Sequence, residues 1–117
     1  MTQTIIRIPT TGPVTVARDF VVTPDSLRAE VDGYFEIVRM RPECLGELCA
    51  LLSITPQQLR TGLPDPDGTR AIVMIVSDSG MLQNLPINPI ASVLYGGPFW
   101  FSRNANIHGD ATIVEID

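Results

Sequence analysis

His108 is the only histidine among 117 residues. A metal site built on it would need Asp110 and further ligands from distant parts of the chain. A general base there would need a nucleophile delivered by the fold. The two cysteines, Cys44 and Cys49, stand five residues apart. That spacing fits neither a zinc pair nor a thioredoxin-like redox pair, and on a helix it sends the thiols to different sides. Two buried, reduced thiols are expected. The acid pair Asp65/Asp67 sits in a proline-bracketed turn that resembles the start of a calcium loop, but the later ligands and the closing glutamate are missing. Glu43 and Glu47 fall four apart on one solvated helix face, where like charges only repel. No G-x-S-x-G elbow exists, and Ser79-Gly80 reads as a turn. Gly96-Gly97 runs into Pro98, which lacks the backbone donor that a phosphate loop needs. No catalytic set, metal site or cofactor is expected from these residues, and an enzyme ranks last among the readings.

Side chains suited to binding are more plentiful. Asn84, Asn88, Tyr95, Trp100 and Arg103 crowd one part of the chain. Rings there could stack on bases, and the arginine fork grips phosphates, so a small-molecule or nucleotide binder acting as a sponge is one reading. In Phe99-Trp100-Phe101 the tryptophan points away from the phenylalanines. If those form core, Trp100 is a candidate anchor for a protein partner. Leu45–Leu63 has the apolar spacing of a helix-turn-helix: Leu48, Leu52, Ile54 and Leu59 at packing positions, with Ser-Ile-Thr as the turn. Gln57, Gln58 and Arg60, with Thr55, would then face a DNA groove. Ser53 stands where glycine is usual, and Arg60 is the one base on the second helix. A plain helical hairpin packed on a sheet is the competing reading.

The elements that must position these residues follow from local signals. Thr4–Ile8 and Val14–Val16 read as a hairpin around Thr-Gly-Pro. Thr23-Pro24-Asp25 starts a helix to about Val31, with Gly33 ending it. Tyr34–Met40 is apolar on both faces, which predicts a covered central strand. Cys44–Leu52 has helical spacing, and Thr55-Pro56 starts a short helix over Gln57–Leu63. Pro64–Gly68 is a turn. Ala71–Val76 is the most apolar run and is expected at the sheet centre. Asp78-Ser79-Gly80, where glycine permits positive φ, is expected to turn the chain back into Met81–Leu85. Asn88-Pro89 caps a helix through Tyr95, and Phe99–Phe101 and Ala111–Ile116 are strands. These pieces predict one α+β domain over residues 1–117. Its sheet should be mostly antiparallel, of five to six strands, with two to four short helices on one face and residues 41–68 as a helical-hairpin insertion.

All eight basic residues are arginine, spread from Arg7 to Arg103, and the net charge is −5. An acidic chain without a basic cluster argues against nucleic acid as the main partner. No apolar run has membrane-spanning length, and no signal peptide is expected, which places the protein in the cytosol.

Several segments together resemble a family of small domains of unknown function from phages and mobile elements, often of actinobacteria. They are the strand, Thr-Gly-Pro, strand opening; Val31-Asp32-Gly33-Tyr34-Phe35-Glu36; Ser77-Asp78-Ser79-Gly80 followed by Leu85-Pro86-Ile87-Asn88-Pro89-Ile90-Ala91; and Ile107-His108-Gly109-Asp110-Ala111. The resemblance covers most of the chain outside Arg41–Gly68. It implies a phage accessory protein acting in the bacterial host's cytoplasm on a host or phage protein; a counter-defence role fits by association only. It implies no catalytic residue. An edge strand near either terminus could pair two copies.

Overall fold

The computed structural model describes residues 2–62, 65 and 67–116. The chain runs β1 (Thr2–Ile8), β2 (Thr15–Val21), α1 (Pro24–Val31), β3 (Phe35–Val38), α2 (Pro42–Leu51), a 3-10 turn (Pro56–Leu59), β4 (Ala71–Ser77), α3 (Pro89–Gly96) and β5 (Ala111–Ile116). The α+β class and the five-stranded antiparallel sheet follow the expectation, with strand order β2-β1-β5-β4-β3. The far end of the expected helix at Leu63, and Pro64 and Pro66 of the expected turn, lie outside the described residues.

Three helix starts share one device, a threonine or asparagine followed by proline, while α2 begins with Arg41-Pro42 and has no side-chain cap. Thr23 accepts from the Ser26 N–H, while the Ser26 hydroxyl receives the Thr23 N–H. Thr55 and Gln58 close a similar box, and Asn88 caps α3. The side-chain oxygen satisfies an orphan donor of the first turn, and proline gives up an N–H that has no helical partner anyway.

Strand alternation sends core residues to both sheet faces. Ile6, Ile8, Met74, Val76, Ala111 and Ile113 pack with Cys44, Leu45 and Cys49 of α2, Leu59 of the 3-10 turn, and Ala91 and Leu94 of α3. Ile5, Val73, Ile75 and Val114 pack with Leu27 and Val31 of α1. The helices, expected on one face, are therefore divided: α1 covers one face and the other elements cover its reverse. This division explains why β4 and β5 are apolar at successive positions.

Several local expectations are corrected. β5, not Ala71–Val76, is the middle strand, because β1 and β4 both pair with it. Both terminal strands are thus interior, and the edges are β2 and β3. Tyr34–Met40 is an edge strand with Glu36 and Ile37 exposed, shortened to Phe35–Val38. β2 is longer than expected. Its register against β1 slips by one residue between Gln3 and Ile5, and Asp19 lies at φ 58 within that slip. A bulge of this kind twists an edge and blunts further pairing. Gly80 does not have positive φ; Asn84, at φ 54, ends that turn, and no strand follows. Phe99–Phe101 is a turn, with both phenylalanines exposed. The 3-10 turn stops at Leu59 because Arg60 is already extended.

Side-chain amides splice the sheet where backbone pairing runs out. β1 and β5 pair only from Ile6 to Ile8. Beyond that, the buried Gln3 amide donates to the Glu115 carbonyl (3.1 Å) and accepts from the Glu115 N–H (2.9 Å), as a peptide group would. Helix α1 is tied down by Glu30, which accepts from the Arg7 guanidinium at 2.8 and 3.2 Å and from the Thr112 hydroxyl at 3.0 Å.

Cys44 and Cys49 are free and buried. Burial pushes both thiols above their ordinary pKa; Glu43 and Glu47 add to this at Cys44, and Arg41 opposes it. A raised pKa leaves less thiolate at neutral pH. Native protein should therefore react with Ellman's reagent about tenfold or more slowly than a free thiol, faster as pH rises, and release both equivalents at once in denaturant. Prompt reaction of the native thiols at pH 7 would contradict this. Among the described residues no helix is long and apolar enough to cross a membrane.

Candidate functional site

A cleft of about 310 Å³ opens at the β3–β4 edge, on the sheet face that carries α3. Its floor is Val38 and Val76, and Glu36 of β3 lies on the same face. Ser77, Asp78, Gly80 and Met81 supply one wall, and Tyr95 of α3 another. Asn104, Asn106, Ile107 and His108 close it. The site is thus assembled from four separate stretches of the chain, 36–38, 76–81, 95 and 104–108.

The packing around His108 sets the cleft's geometry. Its backbone forms a bridge with Ile87, and Asn88 N–H donates to the Ile107 carbonyl at 2.7 Å. The Ile107 N–H donates to the buried Ser92 hydroxyl at 2.9 Å. Segment 106–109 is therefore pinned along α3. The His108 ring places Nδ1 2.9 Å from the Leu85 carbonyl. A carbonyl only accepts, so Nδ1 carries the proton in this contact; the tautomer that makes it has Nε2 as an acceptor. Gly80 is pressed against the same residue: a Cβ there would lie 2.5 Å from the His108 carbonyl oxygen. Glycine is required at position 80 by close approach rather than by backbone angle.

The residues singled out from sequence part company here. Tyr95 lines the cleft and is exposed. Asn88 is fully buried; its amide donates to the carbonyls of Ile8 (2.8 Å) and Gly109 (3.1 Å), and its oxygen accepts from the Ala91 N–H (3.1 Å). It belongs to the scaffold behind the site and cannot reach a ligand. Asn84 is exposed, closes the 78–84 turn in the left-handed region, and does not line the cleft. Trp100 is half-buried against the end of α3, edge-on to Phe101 with ring centres 6.0 Å apart. The Arg103 guanidinium donates to the Gly96 carbonyl at 3.1 Å, which returns the 97–104 loop to the helix end and satisfies an orphan carbonyl. Neither Trp100 nor Arg103 lines the cleft, but both shape the loop that delivers Asn104.

Gln57, Gln58 and Arg60 do not lie on a recognition helix, since their element is a single four-residue turn. Gln58 spends its side-chain oxygen on the Thr55 N–H (2.7 Å). Arg60 pairs with the buried Glu115 at 3.4 Å, and Glu115 also accepts from the Thr61 N–H. Gln57 and Arg60 border another cleft, of about 450 Å³, with Gly62, Asp65, Gly68, Arg70 and Glu115.

Glu36, Ser77, Asp78, Asn104 and Asn106 were not singled out from sequence. Glu36, Ser77 and Asp78 entered only as parts of the quoted motifs, and the linear signal for Asn104 and Asn106 was the polar run Ser102-Arg103-Asn104-Ala105-Asn106, whose asparagines suit tight turns as well as ligands. Asn104 at φ 55 fills the turn role while also facing the cleft.

Large exposed apolar side chains lie on the segments that contribute to this opening. Leu82 is 87% exposed, Met81 and Phe101 66% each, and Phe99 61%. Met81 lines the cleft itself, Leu82 follows it, and the phenylalanines sit on the loop between the cleft residues Tyr95 and Asn104. Among the described residues no group of three or more histidine, cysteine, aspartate or glutamate side chains is placed to hold a metal ion. No family model matches the chain, and comparisons with curated proteins and with solved structures found no match.

Proposed function

We propose that this chain is a non-enzymatic accessory protein of a phage or mobile element, acting in the bacterial cytoplasm by binding a host or phage protein through the end of the domain that carries residues 78–106. The observation that carries this reading is the exposure of Met81, which lines the cleft, and of Leu82, Phe99 and Phe101 on the segments that contribute to it. Each such side chain gains roughly 1.5–3 kcal/mol when fully buried, so leaving four in water favours association. Apolar surface of this kind, rimmed by polar groups, marks interaction sites on soluble domains. The phage assignment rests on the sequence resemblance alone.

The test uses the double variant Phe99→Ser/Phe101→Ser. Both rings are exposed, so the fold should keep its melting temperature to within a few degrees. Crosslinked partner recovered from host cells should fall about tenfold, the scale expected when central apolar contacts of an interface are removed. Equal recovery with the variant and the parent, or no specific partner for the parent, would overturn the reading.

The nucleotide reading draws less support. The cleft's lining contains two carboxylates and no lysine or arginine, a poor match for phosphate.

A further inference from the structure

We infer that the cleft at the β3–β4 edge is a socket for an arginine side chain of the protein partner, seated within the apolar rim. This rests on the protein-binding reading above and deepens it. The cleft gathers five acceptors from three stretches of chain: the carboxylates of Glu36 and Asp78, the side-chain oxygens of Ser77 and Asn106, and Nε2 of His108 in the tautomer that donates from Nδ1. Among the described residues neither carboxylate has a hydrogen bond or ion pair, and the Tyr95 hydroxyl has none either. Most exposed acids elsewhere are used: Asp25 pairs with Arg28, Glu43 with Arg41, and Asp110 accepts from the Thr10 N–H.

A ligand for such a lining must donate many hydrogen bonds and carry positive charge. A guanidinium does both: it has five N–H donors in a planar fork and no acceptor. It also stacks on aromatic faces, and Tyr95 stands at the wall with an exposed ring. An ammonium offers three donors and no plane, so it fills the socket less well. Met81 in the lining, and the exposed Leu82, Phe99 and Phe101 on the adjoining segments, supply apolar surface that a partner would cover as the arginine seats, keeping water from the ion pair. The overall charge of −5 steers a basic partner surface in the same direction.

His108, as the only histidine, gives an unobstructed reporter. Its ring C–H resonance is followed by NMR at fixed pH while N-acetyl-arginine amide is added. A saturable shift in the millimolar range is expected, since one side chain without its protein has few contacts. N-acetyl-citrulline amide has the same shape without the charge and should give no saturable shift. Glu36→Gln/Asp78→Asn should weaken the arginine probe about tenfold without unfolding the domain, because both residues are exposed. Citrulline binding as tightly as arginine, or an unchanged affinity in the double variant, would overturn the socket. The two readings fail separately. Partner capture lost with Phe99→Ser/Phe101→Ser but kept with Glu36→Gln/Asp78→Asn refutes the socket and leaves the rim. Capture unaffected by the phenylalanine variant, with arginine binding intact, refutes the rim and leaves the socket.

Discussion

Replacing Asn88 by alanine is expected to lower the melting temperature by about 12 °C, a loss of about 3 kcal/mol for a domain of this size. The side chain is fully buried and uses all the hydrogen-bonding capacity the fold asks of it. Its amide nitrogen donates to Ile8 at the end of β1 and to Gly109 just before β5, and its oxygen caps α3 through Ala91. One residue thus joins the two neighbouring strands to the helix that walls the cleft. Truncation leaves two carbonyls and one N–H without partners in a place water does not reach, and each such group costs about 1–3 kcal/mol. A helix cap alone accounts for about 1 kcal/mol of this. Asn88→Asp separates the two roles. It keeps the cap oxygen but sets a carboxylate against two carbonyl oxygens, so it should be at least as damaging as alanine. Thermal denaturation followed by circular dichroism decides the matter: a fall of only a few degrees for either variant would mean that Asn88 is a cap and nothing more.

This residue shows how far the sequence could be read. Asn88-Pro89 announces a helix start because the cap and the proline act within one turn. The same local logic holds at Thr23-Pro24 and Thr55-Pro56. Nothing local announces that the Asn88 amide also reaches Ile8, eighty residues away. The sheet order was hidden for the same reason. Ala71–Val76 and Ala111–Ile116 are both apolar on two faces, as expected of strands covered on each side. Which of them is central depends on β1 choosing β5 as its second partner, a nonlocal decision. Tyr34–Met40 read as covered because its apolar content matched that of the interior strands. In the fold its Ile37 and Tyr34 are exposed.

The aromatic run after α3 misled in an instructive way. Phe99-Trp100-Phe101 alternates like a strand, and alternation alone cannot distinguish a strand from a turn closed by its own hydrogen bonds. Here the Trp100 N–H donates to Gly97 and the Ala105 N–H to Trp100, while Arg103 reaches back to Gly96. The loop is held to the helix end, and the phenylalanines project outward. The polar cleft was harder still to read, since Glu36, Asp78, Tyr95 and the Asn104–His108 stretch lie on separate parts of the fold. Their convergence depends on β3 pairing with β4 and on segment 106–109 lying along α3.

Gly80→Ala should damage the site and the fold together. A Cβ at this position would lie 2.5 Å from the His108 carbonyl oxygen, 3.2 Å from its carbonyl carbon and 3.1 Å from its Cβ. Two of these obstacles are backbone atoms, so no rotamer change relieves the contact. Either the 78–84 turn lifts away or the strip around His108 moves. That strip is held by the Ile87 bridge, by Gly109 N–H donating to the Pro86 carbonyl at 2.8 Å, and by the Nδ1 contact to Leu85. Overpacking against so constrained a segment costs about 2 kcal/mol, or about 8 °C in melting temperature. Gly109 makes a useful contrast. Its Cβ would meet the end of the Leu85 side chain at 2.8 Å, which can swing aside, so any cost there comes mainly from its φ of +90. In Gly80→Ala the His108 ring resonance should move in the absence of any ligand. Affinity for the arginine probe should fall about as far as it does when both carboxylates are removed, because the wall carrying Asp78 shifts away from that carrying Glu36. A Gly80→Ala protein with parental melting temperature and an unshifted His108 resonance would show that the turn and the histidine strip are not in contact as described.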